Sequence, residues 1–157
     1  MYERILVPLD GSKVGEAALP EVESLLAKLA PDTQVEVTLI QVISDITYDF
    51  LTDDGAAQLP YDQGDLQKIE QAARNYLEKV AARFREKGIQ VKIIVTEGHA
   101  AEEIVKAAKT INADLIAMAS HGRSGLRRWA LGSITDKVLH ESPVSVLTVR
   151  SGGIKKG

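Results

Sequence analysis

The sequence predicts an α/β protein: a three-layer, open, five-stranded parallel sheet with helices on both faces. Three observations predict it. Short apolar runs alternate with amphipathic helical stretches along the whole chain. Most of those runs are continuously apolar, as strands covered on both faces are. Gly, Ser and Asp gather just after several of them, and open α/β sheets bind ligands beyond the carboxyl ends of their strands.

Residues 4–9, RILVPL, form the first apolar run, and Asp10-Gly11-Ser12 closes it as a turn. Residues 14–29 carry Ala17, Ala18, Leu19, Val22, Leu25, Leu26 and Leu29 near helical spacing, with Pro20 expected to kink the helix or leave its first half irregular. Residues 34–43 make a second strand. Residues 44–66 break the pattern with six Asp, two Gly and one Pro, and no Lys or Arg occurs from Leu29 to Gln67. This stretch is expected to be a long surface loop, with 45–64 the most mobile part of the chain.

A long amphipathic helix follows over 66–87, with Gly88 expected at its C′ position. Strands are then predicted at 89–96, 114–119 and 144–149, and helices at 100–110 and 133–140. Right-handed crossovers arrange these as one domain over residues 1–150, with 151–157 a flexible tail.

Composition narrows the function classes. The 157 residues suit one domain and a core of useful size. A net charge of −3 gives no reason to expect nucleic-acid binding. The chain has no cysteine, which excludes disulfides and thiolate metal sites and fits a reducing cytoplasm. The apolar runs are too short to span a membrane, and MYERILVPLD lacks the apolar core of a signal peptide.

The chemistry concentrates in residues 118–135, MASHGRSGLRRWALGSIT. Gly122 and Gly125 permit backbone conformations in which successive N–H groups converge on an anion. Gly132-Ser133 precedes a helix, whose first N–H groups are unpaired and favour negative charge. Arg123, Arg127 and Arg128 could add charge-assisted contacts. Ordinary turn chemistry competes with this reading. Glycines mark turns, and Ser133 with Asp136 three residues on resembles a capping box. Neither a P-loop nor a dinucleotide-binding glycine fingerprint is present.

Over essentially its whole length the chain resembles the universal stress protein family. The residues that carry the resemblance are ILVPLDGS at 5–12, LIQVIS at 39–44, EGHAAEEIVKAA at 97–108, SHGRSGLRRWALGSITDKVL at 120–139 and SPVSVLTVR at 142–150. The resemblance implies a sheet ordered 3-2-1-4-5, of the Rossmann-like, adenine nucleotide alpha hydrolase-like kind. It also implies one of two subgroups, ATP-binding or not. The binding subgroup carries Gly-x2-Gly-x9-Gly-(Ser/Thr) after the fourth strand. Gly122, Gly132 and Ser133 match it, while Ala119 stands where the first glycine belongs.

By the same resemblance the ligand is ATP, with Mg²⁺ or Mn²⁺ arriving on its phosphates. Its contacts are Pro8, Asp10, Val42, Gly98, Ala119, His121, Gly122, Arg123, Gly125, Gly132, Ser133 and Ile134. Asp10 lies near the adenosine end, Val42 meets adenine and Gly98 lies near the ribose. Phe50, Leu51, Leu59 and Tyr61 could fold over the base.

Nothing in the sequence assembles a catalytic group. His99, His121 and His140 show no metal-ligand spacing; His121 has no carboxylate partner evident by spacing and reads as a loop anchor or a phosphate contact, and His140 reads as a helix-end residue facing the dipole. Asp10 reads as a turn residue before a general base. Trp129 packs over the loop or meets a partner. Two functions remain open. One is a regulatory module of the stress response that binds ATP and hydrolyses it slowly if at all. The other is a dimeric interaction protein of the non-binding subgroup. The resemblance's strand order puts 144–149, an apolar stretch with no proline or charge, at the sheet edge, where pairing with its own copy gives a homodimer.

Overall fold

The computed structural model describes residues 2–29, 33–44, 48–52, 55–59, 63–121 and 131–150. In chain order the elements are β1 (Arg4–Pro8), a 3-10 turn (Gly15–Ala17), α1 (Ala18–Ala27), β2 (Glu36–Ile43), β3 (Tyr48–Thr52), β4 (Gly55–Leu59), α2 (Gln63–Arg85), β5 (Gln90–Glu97), α3 (Ala100–Thr110), β6 (Leu115–Ala119), α4 (Ser133–Glu141) and β7 (Ser145–Val149). Five strands form one sheet in the order β5-β2-β1-β6-β7, every pairing parallel. Counted along the main sheet, that order is 3-2-1-4-5, as expected.

Local chemistry explains the boundaries. Pro20 is the third residue of α1, inside the first turn, where a missing N–H leaves no helical bond unmade. The irregular first half of this helix is the 3-10 turn ahead of it. Gly88 takes φ +78 at the end of α2. Its N–H donates to Arg85 O at 2.9 Å and that of Ile89 to Phe84 O at 3.1 Å, the paired bonds of a left-handed helix cap.

The stretch expected to be an irregular loop contains a hairpin instead. β3 and β4 pair antiparallel from Tyr48↔Leu59 to Thr52↔Gly55 as a small second sheet. Tyr48, Phe50 and Thr52 alternate with other residues and favour a strand, a signal masked in the sequence by the surrounding aspartates.

The central strands of the main sheet are buried on both faces. Ile5, Val7, Leu9, Val37, Leu39 and Ala117 pack against Leu19 and Val22 of α1 and Leu77 and Phe84 of α2. Leu6, Ile40, Ile116 and Met118 pack against Ile104 and Ala108 of α3 and Val138 of α4. A fully buried side chain such as Phe84 contributes about 1.5–3 kcal/mol.

The strand order reverses between β1 and β6, and there the sheet opens. β1 stays in register with β2 as far as Pro8↔Ile40, but its pairing with β6 stops at Leu6↔Ile116. Asp114 N donates to Arg4 O and Leu9 N to Ile40 O, so even residues of β1 turn their backbone toward β6 and odd ones toward β2. Pro8 therefore faces β6 without an N–H to give. The ladder cannot continue, and the two strands part.

Candidate functional site

The parted strand ends open into a cavity of about 370 Å³. It crosses the carboxyl edge of the sheet. Leu9, Asp10, Gly15 and Ile69 close it on the α1–α2 side, and Ala100, Ile104, Met118 and the start of α4 on the other.

Asp10 builds the wall after β1. Its Oδ1 accepts from Ser12 N at 2.9 Å and from Ser12 Oγ at 2.6 Å, and Ser12 Oγ in turn accepts from Gly15 N at 3.0 Å. Asp10 is thus the turn residue the sequence suggests, and it also lines the cavity. Gly15 is present for space: a Cβ on it would fall on Asp10 Oδ1. Beyond it, Tyr76 donates to Glu16 Oε1 at 3.2 Å, and burial next to that carboxylate pushes the phenol pKa well up.

The opposite wall is the start of α4. Gly132, with φ −61 and ψ 149, is the N-cap, and Ser133 is the first helical residue. The capping box read from Ser133 and Asp136 is therefore not formed, because Ser133 sits one position too late. Its hydroxyl has no protein partner among the described residues. The first bond of the helix runs from Asp136 N to Gly132 O at 2.9 Å, so helix geometry leaves the amides of Ser133, Ile134 and Thr135 without intrahelical acceptors. Gly132 N donates to Ser120 O at 2.9 Å and serves the loop, not the cavity.

Two contacts fix this helix start against β6. Thr135 Oγ1 donates to Ala119 O at 3.1 Å in a buried site. A Cβ on Gly132 would lie 3.3 Å from Ser120 O and 3.6 Å from His121 Cα, tight enough that the loop would have to give way. Ala119 itself ends an ordinary strand and is 6% exposed. Asn112 is the one non-glycine residue with positive φ among those described, so the alanine in the first motif position carries no backbone strain.

Two buried side-chain atoms lack a hydrogen-bond partner among the described residues, Gln41 Oε1 and His121 Nε2. Both residues line this cavity. The other ring nitrogen of His121 lies 3.0 Å from Ser120 Oγ, a local anchor that leaves Nε2 unmatched. Among the described residues no group of three or more metal-ligating side chains exists.

Of the residues proposed from sequence, Pro8, Asp10, Val42, Ala119, His121, Gly132, Ser133 and Ile134 line the one cavity. Gly98 does not: it closes the β5–α3 turn beside it, with its N–H donating to Ile43 O at 3.0 Å. Gly122, Arg123, Gly125, Arg127, Arg128 and Trp129 lie outside the described residues, as do Tyr61 and the side chains of Phe50, Leu51 and Leu59. His99 is the N-cap of α3, and His140 Nδ1 lies 2.8 Å from Asp136 O in the last turn of α4. Sequence reasoning missed Gln41, Gly15 and Thr135. Gln41 alone left a signal, a lone amide inside LIQVI.

The universal stress protein family profile matches residues 1–150. The chain belongs to the universal stress protein family. Universal stress protein MJ0577 of Methanocaldococcus jannaschii is 33% identical over 96% of each chain. A solved structure of MJ0577 superposes with a TM-score of 0.80 at 31% identity, covering 98% of this chain and 99% of that one. Universal stress protein YxiE of Bacillus subtilis is 32% identical over 96% of this chain and all of its own length.

Two more distant proteins share the fold alone. One is a universal stress protein solved in complex with cAMP, TM-score 0.59 at 18% identity, covering 96% of this chain and 98% of that one. The other is a family protein from Arabidopsis thaliana with AMP bound, TM-score 0.64 at 14% identity, covering 99% and 95%. Among this stress protein's described residues no helix is long and apolar enough to cross a membrane.

Proposed function

We propose that this universal stress protein is a regulatory module of the stress response that binds an adenine nucleotide, ATP, in the switch-point cavity. The observation that carries the reading is the start of α4. Three amides without helical acceptors and a serine hydroxyl with no capping duty stand at the wall of a largely apolar cavity. A helix start of this kind suits phosphate, and the apolar wall suits a base. The cAMP and AMP complexes of distant relatives are examples of the fold holding adenine nucleotides.

In this reading Ser133, Ile134 and Thr135 receive phosphate, His121 stands beside it, and Pro8, Asp10 and Val42 border the nucleoside. Gly122, Arg123 and Gly125 complete the phosphate loop, and Gly98 acts by shaping the turn next to the ribose. A Mg²⁺ or Mn²⁺ ion would come with the phosphates and neutralise their charge. The residues in the wall bind and orient, and none is placed to drive rapid hydrolysis. A homodimer through β7, a cytoplasmic location and a single domain over residues 1–150 belong to the same proposal. The non-binding alternative rests on Ala119 and on the lack of catalytic groups; the backbone of Ala119 has no positive φ.

The test is calorimetric titration with ATP, preceded by mass spectrometry of the denatured purified protein for carried adenine nucleotide. Ser133→Ala should lower ATP affinity by about 1.5–3 kcal/mol, the range for a lost bond to a charged group, without lowering stability, because Ser133 does not cap. Absence of ATP binding by the wild type would overturn the reading.

A further inference from the structure

One wall of the cavity is held from a distance. Asp10 takes its place in the wall through Ser12, and Ser12 through Gly15, which opens the 3-10 turn Gly15–Ala17. That turn has no side-chain cap, and Gly11, Lys13 and Val14 just ahead of it are exposed. Among the described residues, most side-chain hydrogen bonds of this segment are local, joining Ser12 to Asp10, Gly15 to Ser12 and Lys13 to Glu16. One comes from outside: Tyr76 of α2, 60 residues along the chain, donates its phenol to Glu16 Oε1 at 3.2 Å.

The surroundings of Glu16 give this bond its weight. The Glu16 side chain is 14% exposed, whereas its other partner, Lys13, is 91% exposed and makes a solvent-screened contact at 3.1 Å. A carboxylate so far out of water depends on the donors it keeps. Tyr76 is the fixed donor, because it packs against the core cluster that contains Leu19, Leu77 and Val80. The buried residues of α2 around it are Ala73, Leu77, Val80, Ala81 and Phe84, so packing alone does not call for a hydroxyl. The charge of Asp10 also reaches the phenol. Ile69, two turns earlier on the same side of α2, lines the cavity itself.

We infer that Tyr76 is a positioning residue for the nucleotide site: by holding Glu16 it fixes the 3-10 turn, and with it the Ser12–Asp10 wall that borders the nucleoside. This depends on the nucleotide reading above and adds how that wall is kept in place. Neither Tyr76 nor Glu16 lines the cavity, so both act only through other residues. A wall fixed in advance spares the ligand the cost of ordering it. Without the hydroxyl, Glu16 turns to Lys13 and water, Gly15 N–H loosens from Ser12 Oγ, and Asp10 leaves its place for part of the time.

Two measurements on Tyr76→Phe, which keeps the ring, test this. The first is hydrogen exchange in the unliganded protein. The Gly15 amide should exchange at least about fivefold faster, while the Asp136 amide, on the opposite wall, keeps its rate. The second is titration with ATP, whose affinity should fall about five- to tenfold. Glu16→Gln keeps an oxygen for the phenol and drops the charge and the ion pair with Lys13, so it should bind ATP within about twofold of the wild type. Glu16→Ala should reproduce the loss, and the double variant with Tyr76→Phe should be no weaker than either single one.

An unchanged rate at Gly15, equal acceleration at Gly15 and Asp136, or an unchanged ATP affinity in Tyr76→Phe overturns the positioning role and leaves the nucleotide reading intact. A Glu16→Gln variant as weak as Glu16→Ala overturns it too, because the charge and not the bond from Tyr76 would then matter. A wild type that binds no ATP overturns both.

Discussion

Gly15→Ala isolates a contact that the sequence does not announce. Gly15 does not have positive φ, so an alanine there adopts the backbone without strain. On helix propensity alone the change should stabilise, by up to about 1 kcal/mol. The structure reverses the sign. The new Cβ falls on Asp10 Oδ1, the atom that accepts from both Ser12 N and Ser12 Oγ. The carboxylate must move, and both bonds lengthen or break. A bond to a charged group contributes about 1.5–3 kcal/mol, so the loss of two, less the propensity gain, leaves a net loss of about 2–5 kcal/mol.

Urea denaturation measures that loss as a lower midpoint at an unchanged slope. A double-mutant cycle with Asp10→Ala then identifies its source: with the carboxylate gone, Gly15→Ala should cost nothing or stabilise. A single variant as stable as the wild type, or an undiminished loss in the Asp10→Ala background, would refute the reasoning. ATP affinity should fall in the single variant, because the displaced carboxylate belongs to the cavity wall.

Three other perturbations probe different supports. Thr135→Val keeps the shape but leaves Ala119 O unpaired in a buried site, so it should cost about 1–3 kcal/mol in urea denaturation and weaken ATP binding by loosening the start of α4. Ala119→Gly should leave ATP affinity within twofold by titration, because the alanine already has ordinary strand geometry. Asp114 accepts from Arg4 N at 2.8 Å and Glu3 N at 3.0 Å, and those bonds hold its carboxyl below the usual range. A depressed folded pKa contributes stability above the unfolded value near 3.9 and loses it as pH falls toward the folded one. Asp114→Ala should therefore destabilise by about 0.5–1 kcal/mol at pH 7, since both bonds are exposed and screened by solvent, with the gap closing below about pH 4 in denaturation runs across pH.

Period and punctuation made most of the fold legible. Continuous apolar runs such as ILVPL and LIAMA read as strands buried between layers, and Gly88 closes its helix because no other residue takes that φ without cost. The hairpin at 48–59 was not legible. Its short alternating strands are embedded among aspartates that favour turns, and backbone pairing outweighed that local preference.

For the site, the sequence by itself determined which segments supply it. The glycines and hydroxyls after β1 and β6 are local signals, and the family resemblance named eight residues that line one cavity. Tertiary structure decided what each of them does. Whether Ser133 caps or is left for a ligand depends on where α4 begins, a shift of one residue that composition does not encode. Whether Ala119 is strained depends on its φ. Gln41 is an ordinary polar residue in a strand until β5, α2 and the splayed end of β1 surround it without a partner for its oxygen. Such properties come from residues far apart in the chain meeting at one point, and no local pattern of residues carries them.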